Sequence, residues 1–272
     1  MSLLSRDEKI NKIVKGKNVC LCGPAAYLMG SNLGSYIDSF DVVCRVNDFT
    51  PVNHIQDYGS KNDIMFHVFN DLYFERKDFR DFIINNNYSF YDCIKLMVCP
   101  TRTENPHGPW GKGTEELYNS YIDGFDKKSF TSITVEDFLK VKEELKGDFS
   151  SGRVIEQMLL ACEIKSLFIT GFSFYWENDQ IPKRSVFYEG KAVFSGGPYC
   201  AFDKDGYVIA NHDQAHQKEY FIEKVLKLNK DLIKVDSFLR DEILKIDYDN
   251  AVVIKWRKEP PRDTYNIVVM VR

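Results

Sequence analysis

The chain has 272 residues, a net charge of −4, and 44% hydrophobic and 14% aromatic residues. That length and apolar content suit a single α/β domain spanning 1–272 with a sizeable core. The slightly acidic balance excludes a nucleic-acid protein held by a broad basic face. No run approaches the roughly 18 apolar residues that a membrane-spanning helix needs. Met1 to Lys17 lacks a signal-peptide apolar core, so a cytoplasmic location is expected.

The first informative stretch runs from Asn18 to Lys61. Asn18–Cys22 is a short apolar run bounded by Gly23, which predicts a buried strand. Gly23, Pro24 and Ala25 open a turn, Gly30 and Gly34 follow, and the stretch from Ile37 holds a second buried run ending in Arg45 and Asn47. Glycines let a backbone approach a phosphate, and a following helix N-terminus favours its charge. The stretch therefore reads as the nucleotide-binding first half of an α/β domain. A turn shaped only for packing explains the glycines equally well. No Gly-Lys-Ser/Thr closes a P-loop, and the G-x-G-x-x-G dinucleotide fingerprint is absent.

Strands are expected at 64–68 and 94–98, with a helix over 71–86 between them. Residues 100–113 hold Pro100, Pro106, Gly108, Pro109, Gly111 and Gly113 and predict a loop. Its Thr101, Arg102, Asn105, His107 and Trp110 are candidates for an acceptor site, against a plain solvated connection. Helices are expected over 136–146 and 152–162, and a buried strand at 166–170 ends at Gly171-Phe172. Ser150, Ser151 and Gly152 at a helix start form either a simple cap or an anion or ribose site. Residues 173–210 read as an irregular, lid-like insert. A helix over 214–228 and a strand over 265–271 complete the order. Strands alternating with helices imply a mainly parallel sheet covered by helices on both faces.

His212 and His216 sit at the start of the helix after Asn211. The dipole disfavours a cationic histidine there, which suits a proton acceptor. Asp213 as a helix cap, with both histidines solvated, is the alternative. Asp203 with Asp205, and Asp247 with Asp249, have the Asp-x-Asp spacing that holds a cation in many transferases. The first pair also suits an ordinary hairpin turn. The seven cysteines are scattered without a C-x-x-C pair, which reads as buried thiols in a reducing compartment.

Gly23, Ile37-Asp38-Ser39, Arg45-Val46-Asn47 and Gly59-Ser60-Lys61, taken in order, resemble the large sialyl motif of sialyltransferases. Ser150-Ser151-Gly152 through Cys162 to Gly171-Phe172 is similar to the small motif, and His212 to the short C-terminal histidine motif. The resemblance implies a Rossmann-like, GT-A-type variant fold and an inverting transferase. A CMP-linked acidic sugar, of sialic acid or Kdo type, is then the donor and a glycan hydroxyl the acceptor. It also implies His212 as base, His216 as its competitor, and no metal or cofactor. Nucleotide contacts fall on Gly23, Pro24, Ala25, Arg45, Asn47, Ser150, Ser151, Gly152, Gly171 and Phe172.

Two positions depart from the family pattern. Pro24 stands where an Asn is usual, and Gln217 where a Glu follows the histidine. Family members often bridge the large and small motifs by a disulfide, which implies Cys20 and Cys162 as its candidates. A lipid-linked acceptor would bring the chain to a membrane surface. Two other readings remain open: a metal-dependent UDP- or GDP-sugar transferase, and a nucleotide-binding module without catalysis.

Overall fold

The structure is a computed structural model that describes residues 3–46, 54–67, 93–101, 129–145, 151–174, 186–188, 191–193, 200–202, 208–210 and 214–255. Its frame is an eight-stranded sheet. The strands are β1 (Asn18–Cys22), β2 (Val42–Val46), β3 (Ile64–Phe66), β4 (Leu96–Cys99), β5 (Ser129–Ser132), β6 (Ser166–Thr170), β11 (Ile233–Asp236) and β12 (Ala251–Val252). Their spatial order is β12-β11-β6-β1-β2-β3-β4-β5, and every pairing is parallel. A parallel sheet needs apolar side chains on both faces. The runs Val19–Cys22, Val42–Val46 and Leu167–Thr170 are accordingly buried at consecutive positions rather than alternate ones.

The helices are α1 (Glu8–Val14), α2 (Gly34–Asp38), α3 (Ile55–Tyr58), α4 (Val135–Glu144), α5 (Ser151–Leu160) and α6 (Gln214–Tyr220). Local signals set their ends. The Asp7 carboxylate accepts from the backbone N–H groups of Lys9 and Ile10 at the start of α1. The Thr134 hydroxyl accepts from Asp137 N–H at 3.1 Å and caps α4. Gly59, at φ +71°, ends α3. Helix α5 is buried from Gly152 to Leu159, wedged between the sheet and its neighbours.

Two expectations change. The segment 173–210 is not simply irregular: it contains β7 (Val186–Tyr188) paired antiparallel with β8 (Lys191–Val193), and β9 (Cys200–Phe202) paired antiparallel with β10 (Val208–Ala210). The helix expected over 214–228 is α6 followed by a π-helical stretch, Phe221–Leu226, and a 3₁₀ turn, Lys227–Asn229. Cys20 and Cys162 are separate thiols, Cys20 within β1 and Cys162 just beyond α5. Burial pushes both thiols up, Cys162 to about 12. The expected helix over 71–86, most of the 100–113 loop and the strand over 265–271 lie outside the described residues. No helix among the described residues is long and apolar enough to cross a membrane.

Candidate functional site

The strand order reverses at β1. From there β2, β3, β4 and β5 step one way, and β6, β11 and β12 step the other. In open parallel sheets, ligands lodge outside the carboxyl ends of the strands at such a reversal. Here β1 ends in Gly23 and its neighbour β6 ends in Gly171.

The two glycines lie back to back. Gly23 N–H donates to the Thr170 carbonyl at 2.8 Å, and Ala25 N–H donates to the Gly171 carbonyl at 2.9 Å. A Cβ on either glycine would collide with the other's carbonyl group, and Gly171 adopts φ +75°. Only glycine fits both positions. The result is a tightly packed backbone lip formed by Gly23, Pro24, Ala25 and Gly171, of which Gly23, Ala25 and Gly171 are buried. Pro24 and Phe172 are half-buried beside it.

The Gly59-Ser60-Lys61 segment and Asp38 explain how the lip is supported. The Asp38 carboxylate accepts from Ser60 N–H and Lys61 N–H, both at 2.9 Å at Oδ1, and from the Ser60 hydroxyl. Gly34 packs against the Ile55 carbonyl so closely that no Cβ fits. The Tyr58 hydroxyl then donates to the Ala25 carbonyl at 2.9 Å, tying this segment to the turn. Arg45 is fully buried, and its guanidinium donates to the carbonyls of Tyr58 and Lys61. These bonds make it a support for the Tyr58 segment. Asn47 lies outside the described residues, one position beyond β2.

Two helices start on the same edge of the sheet. Helix α5 precedes β6, and α6 with its π-helical continuation precedes β11. A helix that returns to the amino end of the next parallel strand begins at the carboxyl edge. Ser151 and Gly152 thus open α5 on the edge of the sheet that carries the lip, with Ser150 just outside the described residues. His212 also lies outside them, two positions before α6. His216 is half-buried within α6, and Gln217 is buried.

Arg153 joins these parts. Its guanidinium carbon lies 4.3 Å from the Phe174 ring centre and 4.4 Å from that of Phe221. Phe174 follows Gly171-Phe172, and Phe221 continues α6. Arg153 also pairs with Glu156 one turn on, and both are buried. Burial pushes the Glu156 carboxyl up to about 8, although Arg153 pulls the other way. Desolvation on all sides outweighs a single cation here.

No protein-family model matches the chain, and no curated protein matches it. Solved structures similar to it include the following two. One is the crystal structure of a mammalian sialyltransferase in complex with Gal-beta-1-3GalNAc-ortho-nitrophenol, at 15% identity and a TM-score of 0.47, covering 83% of this chain and 71% of that one. The other is the crystal structure of a mammalian sialyltransferase, at 15% identity and a TM-score of 0.45, covering 81% and 68%.

Several residues at the lip escape sequence reasoning. Tyr27, Thr170 and Asp236 meet beneath Gly171, and Asp236 is 209 positions from Tyr27. Nothing local in the sequence marks that meeting. Arg153 and Glu156 did leave a signal: opposite charges three apart within an otherwise apolar helix face. His67, buried at the carboxyl end of β3, is pushed down to about 3 by desolvation and is neutral. Of the aspartate pairs, Asp247 and Asp249 are exposed on the approach to the amino end of β12, the edge opposite the lip. Asp203 and Asp205 lie outside the described residues. A cavity of about 340 Å³ lined by Asn18, Tyr36, Phe40, Ser166, Phe168 and Lys234 also sits toward that opposite edge.

Proposed function

We propose that this chain is an inverting glycosyltransferase that moves an acidic sugar from a CMP-sugar to a glycan hydroxyl. The observation that carries the reading is the reversal of strand order at β1, where the Gly23 and Gly171 turns meet and α5 opens on the same edge of the sheet. The crevice at the carboxyl ends of parallel strands, with a helix N-terminus on the same edge, accommodates a phosphate. The ordered resemblance to sialyl motifs supplies the donor class.

In the proposed reaction the acceptor oxygen bonds to the anomeric carbon as the bond from that carbon to the phosphate oxygen breaks. The electron pair leaves with CMP, and the hydroxyl proton passes to His212. Backbone donors at Ser151-Gly152, where α5 opens, stabilise the charge growing on the phosphate. A monophosphate leaving group carries less charge than a nucleoside diphosphate, so the reading requires neither metal nor cofactor.

Pro24 and the buried Gln217 favour a second reading, a nucleotide-binding module without transfer. Pro24 offers no N–H to a phosphate. A thermal-shift series with CMP, UMP, UDP, GDP and GMP tests the first step, since a ligand bound to the native state raises its melting temperature. CMP giving the largest shift without added metal supports a cytidine site. A larger shift with UDP, present only with manganese, overturns it. Hydrolysis or transfer of the CMP-sugar then separates the enzyme from the inert module.

A further inference from the structure

We propose that Tyr27 and Asp236 are positioning residues that hold the Gly171 side of the lip in its phosphate-accepting conformation, an inference that rests on the nucleotide reading above. Gly171 cannot form an ordinary ladder bond on both sides. Its carbonyl accepts from Ala25, on the β1 side. Its N–H donates to the Tyr27 hydroxyl oxygen at 2.7 Å. That hydroxyl in turn donates to Asp236 Oδ2 at 2.6 Å. The lip is therefore clamped from two directions, one clamp being a side chain.

Asp236 anchors the clamp. It ends β11, is fully buried, and collects donors from three elements. Tyr27 and the Thr170 hydroxyl, the latter at 2.7 Å, share Oδ2, while Leu239 N–H donates to Oδ1 at 2.8 Å. The Tyr27 ring stacks on Phe238 with centroids 4.7 Å apart, which fixes where its hydroxyl points. The path Leu239–Asp236–Tyr27–Gly171 crosses three neighbouring strands at their carboxyl ends. Removing the Tyr27 hydroxyl leaves the Gly171 N–H without this acceptor and frees the backbone to relax from its positive φ.

Tyr27→Phe keeps the ring and the stacking and deletes only the hydroxyl. It is expected to weaken CMP binding by titration calorimetry about tenfold, the consequence of losing one well-placed hydrogen bond. Donor KM should rise in step, with acceptor KM unchanged. Asp236→Asn should act in the same direction, and the double variant should bind no worse than the weaker single one, because both break one relay. Val141→Ala, in the buried core on α4 and outside the relay, is the control for packing. It should lower the melting temperature while leaving the CMP dissociation constant within about twofold of wild type.

Wild-type affinity in folded Tyr27→Phe and Asp236→Asn overturns the relay and leaves the nucleotide reading standing. An equal loss of affinity in Val141→Ala also overturns it, since packing alone then accounts for the effect. Absence of cytidine-nucleotide binding by the wild-type chain overturns the nucleotide reading, and this proposal with it.

Discussion

At the residue scale, the glycines differ in what they tolerate. Gly16 has φ +68°, but a Cβ there meets nothing within 4 Å. Gly16→Ala is therefore expected to cost only the left-handed backbone penalty, about 1–2 kcal/mol. Gly171→Ala incurs the same penalty and also drives a methyl into the Gly23 carbonyl group. Chemical denaturation should show a clearly larger loss for Gly171→Ala, and CMP binding should vanish with it. Equal losses in the two variants would mean the lip is not tightly packed. Asp38→Ala removes the acceptor for two backbone N–H groups and a hydroxyl, an expected loss of about 1.5–3 kcal/mol. For the proposed base, His212→Ala should lower transfer by about 10²–10⁴ with CMP affinity retained, while His216→Ala costs much less. The reverse ranking in a transfer assay would assign the proton to His216.

At the element scale, the Arg153–Glu156 pair joins α5 to the stretch that follows α6. The carboxyl of Glu156 is held at about 8 in the fold, above its ordinary value of 4.5. Below pH 4.5 it is protonated whether the chain is folded or not, and it imposes no penalty. As pH rises from 4.5 toward 8, the unfolded chain releases this proton more readily than the folded one, so stability falls across that window. Arg153 and Tyr220 also face this region, and burial lifts the Tyr220 hydroxyl to about 12, so neither titrates within the window. Glu156→Gln removes the titration. Denaturation midpoints of wild type and variant should converge at low pH and diverge above pH 5, with the variant ahead. A constant difference at every pH would show that Glu156 is ionised in the fold throughout.

The same scale shows what the sequence made legible. Strands β1, β2 and β6 were readable because burial on both faces leaves unbroken apolar runs, and α5 because its apolar residues recur at helical spacing. Strand β5, Ser-Phe-Thr-Ser, has no such run and passed unnoticed. So did β11, whose exposed Lys234 interrupts it. The π-helical stretches leave no sequence mark, since their i→i+5 bonds arise from packing. Gly23 and Gly171 could each be named as turn residues from the sequence. Their mutual contact could not, because it depends on β1 and β6 being neighbours.

At the scale of the whole molecule, one buried core spans the sheet from β1 to β6, β11 and the flanking helices. Cys20, Cys22, Cys44, Cys99 and Cys162 lie within it or at its border, whereas Cys93 is exposed. A thiol reagent applied to the native protein should label Cys93 rapidly and these five only on unfolding. Rapid native labelling of Cys20 or Cys44 would contradict the closed sheet.

Strand β1 lies at the reversal point, and its partner β6 begins 148 residues later, at Ser166 opposite Asn18. Contacts that distant form slowly, because the intervening chain must be closed into a loop before any contact is gained. The lip cannot exist before that closure. During refolding, the capacity to hold a nucleotide should therefore emerge in the slowest phase, after most helical signal has returned. A nucleotide added at that point would act as a latch on the longest-range strand pairing among the described residues, so occupancy of the crevice would report that this part of the polypeptide has finished assembling.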